Sequence, residues 1–317
     1  MVEGDQTAPH VAATRQLAAG EQVAVGTGRR DIPGREGSER VRRVVVYVVL
    51  IALALLYFIP FIWSVLTSLK TVQEVVAGFD VWPDDPSLKA YRRVWSEYDF
   101  VTYFKNSFIF AASITAVNLF LSSLGGYAFA RLRFPGRELI FILVLGTLMI
   151  PDPLRLVPVY LMLIDFPITH WNLVGSYRGF IFFGSTLALA TNLFLLRQYF
   201  LTIPKDYEEA AKLDGAGYFK TYYRVMLPLA IPAVAAVAIL TFQGTWNEFF
   251  WALIVLGFDN PDLFTVQLGL TQFQFQYQTL WPELMAATTI AILPIALVFV
   301  FFQRFFVAGV TAAGVKG

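Results

Sequence analysis

Three clusters of polar residues interrupt the long apolar stretches of this chain, and each implies a different chemistry. Asp152 and Arg155 lie three residues apart among Pro151, Pro153 and Pro158. At that spacing they can pair on one helix face. Ionisable groups at membrane depth usually face a bundle interior or a watery cavity; the alternative is a helix end near water. Gln243, Thr245, Trp246, Asn247 and Glu248 break a second apolar run. Gln243, Trp246, Asn247 and Phe250 follow the i, i+3, i+4, i+7 spacing of one helix face. Such a stripe suits a sugar, with amides and a carboxylate for hydroxyls and a flat ring for the apolar side. The same groups could instead hold helices together, at about 0.6 kcal/mol per hydrogen bond, or meet another subunit. Asn118 and Asn192 raise the same question, and packing is the expected role for both. The third cluster, Glu208 to Gly215, is too polar to cross a bilayer although apolar runs flank it on both sides.

Several kinds of chemistry are missing. No G-x-x-x-x-G-K-[ST] pattern occurs, so a P-loop for ATP is not expected. The only histidines are His10 and His170, which excludes H-E-x-x-H and leaves no basis for a metal site. His170, beside Thr169 and Trp171, reads as a surface residue. There is no G-x-S-x-G elbow and no cysteine. No catalytic residue, metal or cofactor is expected.

The elements that must position these clusters are membrane helices. At 57% hydrophobic residues and a mean hydropathy of +0.60 the chain is too apolar for an ordinary soluble domain. A bilayer core takes about 20 mostly apolar residues per helix. Six segments qualify, near 44–67, 104–130, 138–162, 178–200, 226–256 and 284–306. The expected fold class is an all-α membrane protein with six transmembrane helices over residues 40–317.

With a cytoplasmic N-terminus, the inner side holds Arg40, Arg42, Arg43, Arg131, Arg133, Arg137, Arg197, Lys205, Lys212, Lys220, Arg224, Arg304 and Lys316. The outer side holds Lys70, Lys89, Arg92, Arg93, Lys105 and Arg178. Thirteen against six satisfies the positive-inside rule, so both termini are expected in the cytoplasm. Residues 1–39, rich in Gly, Ala and charge without periodicity, are expected to be a disordered tail. The first apolar run is too long and too late to be a cleavable signal. The loop at 68–103, where Ser87 can cap a short helix, offers a surface to a partner outside. The tight basic turn Arg131 to Arg137 is expected to serve topology and lipid headgroup contact, and no nucleic-acid role is expected.

Residues 201–227 carry the most specific pattern. Pro204 and Asp206 open a helix, with Glu209 three residues beyond Asp206 as in a capping box. Ala210, Ala211 and Leu213 form a small surface, and Gly215 permits a sharp turn. Tyr218, Phe219, Tyr222 and Tyr223 make an aromatic cluster fit for a hydrophobic cleft, and Pro228 and Pro232 shape entry into the next helix. An interfacial helix lying on lipid is disfavoured by Glu208, Glu209 and Asp214, because the cytoplasmic leaflet is negatively charged.

Glu209-Ala210-Ala211, three residues, Gly215, nine residues, Val225, one more, then Leu227-Pro228 resembles the EAA loop of bacterial ABC importer permeases. Further matching pieces are Ser68-Leu69-Lys70, Asn106-Ser107, Gly126 to Arg131, Met149-Ile150-Pro151, Arg197-Gln198, Trp246 to Phe249 and the terminal Gly314-Val315-Lys316-Gly317. Together they resemble the MalG-type permease subunits of carbohydrate ABC importers. The resemblance implies a type I importer (MetI-like) fold in a bacterial inner membrane. It also implies a second, MalF-like permease, a homodimeric cytoplasmic ATPase, an extracytoplasmic sugar-binding protein and contact with membrane lipid. It assigns ATPase coupling to Glu208, Glu209, Ala210, Ala211, Asp214, Gly215, Leu227 and Pro228. It assigns a reach toward the ATPase to Gly314, Val315, Lys316 and Gly317. Gln243, Trp246, Asn247 and Glu248 are the candidates for the pore or substrate. The loop from Asp165 to Tyr177 departs from the family's G-L-x-x-T pattern. Two rival readings are a membrane-embedded enzyme using Asp152, Arg155 and Glu248, and an ion-driven transporter with Glu248 as its site; neither explains the EAA spacing.

Overall fold

A computed structural model describes residues 35–314 except 79, 168 and 275–277, and the side chains among them from 40 to 302. Two compact units divide the chain, residues 1–59 and 60–317. In the first, the described part is helix: α1, Arg35–Ser68, begins before the boundary expected at residue 40 and continues into the second unit. Its apolar side chains from Val41 to Ile59 are exposed, as a lipid-facing helix requires.

The regular structure of the second unit, among its described residues, is helix apart from one isolated bridge between Gln274 and Thr279. Short helices α2 (Val72–Ala77) and α3 (Lys89–Ser96) follow α1. Thr71 and Glu74 form a capping box on α2, and the Ser87 hydroxyl accepts the Lys89 amide at the start of α3. Then α4, Phe100–Arg131, runs unbroken for 32 residues. After it come α5 (Arg137–Gly146), α6 (Asp152–Ile164), α7 (Tyr177–Leu187) and α8 (Leu189–Thr202). The polar segment forms α9 (Asp206–Leu213) and α10 (Tyr218–Thr221), a π turn over Tyr222–Met226 and α11 (Leu227–Leu229). The chain ends with α12 (Ile231–Trp246), α13 (Phe250–Leu256), α14 (Val266–Leu270) and α15 (Trp281–Gly314).

Of the six expected spans, three are helices long and apolar enough to cross alone: Arg40–Ser68, Phe100–Arg131 and Trp281–Phe302. The other three are bent pairs, and six spans result if each pair counts as one. The residues 137–149 and 152–164 meet at 105°, because Ile150 precedes Pro151 and is held extended. The bend of 45° between α7 and α8 falls at Ala188. The bend of 78° before α12 falls at Ala230, between Pro228 and Pro232, each of which lacks an amide for the helix ladder. The segment expected as one helix over 226–256 ends at Trp246 and restarts at Phe250.

Packing is close where α4 meets α8. A Cβ on Gly126 would lie 3.0 Å from the Arg197 amide nitrogen, and one on Gly125 would meet Leu193 Cδ1 at 2.8 Å. The two backbones touch as small residues allow in membrane helices. Buried amides tie the same helices together. The Asn118 side-chain amide donates to the Ser185 carbonyl at 2.9 Å, and that of Asn192 donates to Asn118 Oδ1 at 2.7 Å and Thr241 Oγ1 at 2.8 Å. Asn118 and Asn192 are packing residues, as the sequence led us to expect.

Candidate functional site

The segment 201–227 is built from local rules. Asp206, Glu208 and Glu209 sit in the first turn of α9 and Lys212 in its last, the arrangement the helix dipole favours. The expected capping box is not made: Lys205 is the cap residue, Asp206 is already the first helical residue, and no side chain caps the end. The C-terminal end is closed by Gly215 at φ +74°. Its amide donates to the Lys212 carbonyl at 3.0 Å, and the Ala216 amide donates to the Ala211 carbonyl at 2.9 Å, a Schellman pair. No atom lies within 4 Å of where a Gly215 Cβ would stand, so the glycine answers a backbone demand and not a shortage of space.

The two adjacent glutamates of α9 face opposite ways. Glu208 is buried, at 8% exposure, and its carboxylate lies 3.1 Å from Arg131 Nε. Glu209 is exposed, with Ala210, Lys212, Asp214 and a Leu213 at 90% exposure. Tyr218, Phe219 and Tyr223 are exposed beyond the turn. Tyr222, expected in the same aromatic cluster, points inward instead: its hydroxyl is 2.7 Å from Ser123 Oγ and its ring packs on Tyr127. Leu227 packs against the same buried cluster, and Pro228 is exposed.

Arg131 corrects the reading of the basic turn. Its side chain is 5% exposed and serves the protein interior, not lipid. It is ion-paired with Glu208, and it donates to the Phe200 carbonyl at 2.5 Å and to the Ile203 carbonyl, both at the C-terminal end of α8. Of its neighbours, Arg133 is exposed and Arg137 pairs with Glu138 at 2.7 Å. A cleft of about 850 Å3 between the basic turn and α9 is lined by Arg131, Arg133, Lys205, Glu208 and Glu209 among others.

The polar stripe does not assemble. Trp246, at 1% exposure, is a core residue wedged against Phe104 and Phe242, and its indole donates to the Ala291 carbonyl at 3.1 Å. Asn247 lies past the last helical residue of α12, so the seven-residue face through Phe250 is broken. Asn247 is exposed and accepts from Gln267 Nε2 at 3.4 Å, a partner that no sequence pattern singled out. The Glu248 carboxylate accepts the Trp251 amide at 2.9 Å, in the first turn of α13. Gln243 is exposed and lines a narrow groove of about 220 Å3 with Ile292 and Phe299.

Asp152 and Arg155 pair with each other in the first turn of α6, partly exposed, just past the 105° break. His170 is exposed at φ +51°, its Nδ1 2.7 Å from Asp165 Oδ1, beside an open pocket of about 750 Å3 lined by Trp171, Tyr177, Arg178 and Asn260. No group of three or more His, Cys, Asp or Glu that could hold a metal occurs among the described residues. Gly314 ends α15, while Val315, Lys316 and Gly317 lie outside the described residues, as do 1–34 of the expected tail.

Known proteins share this architecture. A permease component of the arabinooligosaccharides transport system of Bacillus subtilis is 34% identical over 87% of this chain and 97% of its own length. The trehalose/maltose transport system permease of Thermococcus litoralis is 33% identical over 88% and 99%. A bacterial ABC transporter involved in the import of the acidic polysaccharide alginate superposes with a TM-score of 0.73 at 25% identity, over 85% of this chain and 98% of its own. Residues 122–312 match the model of one family, which takes in the last ten residues of α4, the polar segment and everything on into α15. The chain therefore belongs to the binding-protein-dependent transport system inner membrane components, a family of transport permeases and not of enzymes.

Proposed function

We propose that this permease forms one half of the pore of an ATP-driven importer for a di- or oligosaccharide, and that residues 201–227 couple it to a separate ATPase. The observation that carries the coupling assignment is the outward face of α9. Glu209 and Leu213 stand one turn apart and exposed, and Tyr218 and Phe219 follow beyond the Gly215 turn. A carboxylate beside exposed apolar groups, on a helix fixed from behind, suits a cleft in a protein better than an anionic bilayer. Glu209 meets a basic residue of that cleft, and Leu213 with the two rings fills it. Ala210, Ala211, Asp214 and Gly215 keep the helix short and its exit sharp, and Glu208, Leu227 and Pro228 hold it to the bundle.

Closure of the ATPase pair moves α9, and the bundle switches between inward- and outward-facing states around it. A second, homologous permease completes the pore, and a sugar-binding protein delivers the substrate on the other side. The charge bias supports a cytoplasmic position for both termini and for α9. Gly314 to Gly317 extend toward the ATPase. The substrate class follows the relatives, whose named cargoes are arabinooligosaccharides, trehalose or maltose, and alginate. Neither rival reading has its polar groups at liberty, because Asp152 pairs with Arg155 and Glu248 holds an amide.

The test is affinity purification of the tagged chain from native membranes in mild detergent, followed by mass spectrometry. A P-loop ATPase and a second six-helix permease are expected to co-purify, and the ATPase is expected to be lost on Glu209→Lys. A chain that comes out alone or as a homo-oligomer overturns the reading.

A further inference from the structure

Buried Arg131 joins the end of α4 to the junction of α8 and α9, about seventy residues further on, and nothing in the coupling assignment above uses it. It stands at the C-terminal end of α4, holds two carbonyls at the end of α8, and meets the inward carboxylate of α9. A guanidinium suits this position because its planar fork presents five donors in fixed directions and stays charged. The last carbonyls of a helix have no partner within the helix, and a cation there is favoured by the helix dipole. Arg131 thus fastens α9 to the ends of α4 and α8 at one point. A second tie runs from the π turn to α4, through Tyr222 and Ser123 at 2.7 Å.

What lies behind the clamp is stiff. At Gly126 the backbone of α4 lies against that of α8, Gly125 lies against the Leu193 side chain, and the Asn118, Asn192 and Thr241 bonds extend the same body to α12. Without Arg131, a displacement of α9 would reach α8 through residues 203–205 and α4 through the Tyr222–Ser123 tie, and no ion pair would join α9 to the end of α4. We infer that Arg131, paired with Glu208, is the positioning residue that passes motion of the coupling helix directly into the α4–α8 pair. The inference rests on the coupling role proposed for α9. It makes α4, not the helix that follows the coupling loop in sequence, the first membrane element to move.

The chain contains no cysteine, so a thiol introduced by Val101→Cys, at the opposite end of α4 and on an exposed side chain, is unique in it. The complex purified from native membranes is labelled with a maleimide in the absence and presence of ADP-vanadate. In the otherwise unmodified chain, trapping is expected to change the labelling rate at least about fivefold, the low end of ordinary coupling factors. Glu208→Gln, which keeps shape and removes the charge, and Arg131→Met should each bring that change within about twofold, and the double variant should lose no more than either alone, as partners in one interaction do. Arg131→Lys should restore part of it. A full response in Glu208→Gln with the ATPase still bound overturns the inference. So does loss of the ATPase from Glu208→Gln, which would put Glu208 on the docking face. If the unmodified complex holds an ATPase yet shows no response, α4 is not the element that moves. If it holds no ATPase, the coupling reading itself falls and takes the clamp with it.

Discussion

The polar segment at 201–227 and the polar stripe at 243–248 are both interruptions in apolar sequence, yet they orient their groups in opposite ways. In the first, neighbouring side chains diverge: Glu208 turns in to Arg131 while Glu209 and Leu213 turn out. In the second, most of the groups are taken up by the fold itself, Trp246 by the Ala291 carbonyl and Glu248 by the Trp251 amide. A polar island that keeps an exposed, partly apolar face while its base is pinned is built for a partner. One whose polar atoms are matched at short range within the protein is built for packing.

That contrast can be broken most easily at Trp246. Its replacement by Ala removes a fully buried indole and its hydrogen bond, and is expected to cost about 3–5 kcal/mol. Thermal unfolding in detergent should show a large fall. Undiminished stability with altered sugar transport would return Trp246 to the pathway and erase the contrast. The Gly215 turn tests the other region. A non-glycine residue held in the left-handed conformation costs about 1–2 kcal/mol, and Gly215→Trp also places a bulky group on the docking side. The variant should insert in the membrane normally but fail to transport, whereas Gly215→Asn, which tolerates this conformation, should keep most activity. Normal uptake by the Trp variant would sink the coupling assignment at that position. The smallest effect is expected at Glu248. Glu248→Ala loses a bond to the first turn of α13, about 0.5–2 kcal/mol by analogy with helix caps, and Glu248→Gln should retain both stability and transport. Transport abolished in a stable Glu248→Gln protein would mark the carboxylate as an ion site after all.

How far each region was legible in sequence follows from the range of the forces involved. The Gly215 turn, the dipole-matched charges of α9 and the helical character of 206–213 depend on residues within one or two turns, and they are plain from spacing. The inward direction of Glu208 depends on Arg131, 77 positions earlier, as read from the residue numbers. No local pattern carries that, and Arg131 looked like one more positive charge in a turn that obeys membrane topology. The single face assigned to the stripe fails for a related reason. Its helical period was assumed to run through Asn247, but α12 stops there and the register is lost. The prolines at 151, 153, 228 and 232 did announce trouble in the helices, though not that one break would reach 105°.

That break bears on how the chain enters the membrane during synthesis. Helices α5 and α6 have 10 and 13 residues, and segments of that length fall short of a bilayer's hydrocarbon core. Neither half can therefore partition as an independent span. The backbone groups freed at Ile150 and Pro151 need protein or water beside them and cannot be left to lipid tails. Phe129 of α4 meets Phe141 at 5.6 Å, but the rest of its seat comes from a helix translated afterwards: Phe141 stacks on Phe194, and the Arg197 guanidinium lies 4.1 Å from the Phe141 ring. The elbow formed by α5 and α6 is thus completed only once the ribosome has moved some fifty residues on, which makes it a late-settling part of the bundle.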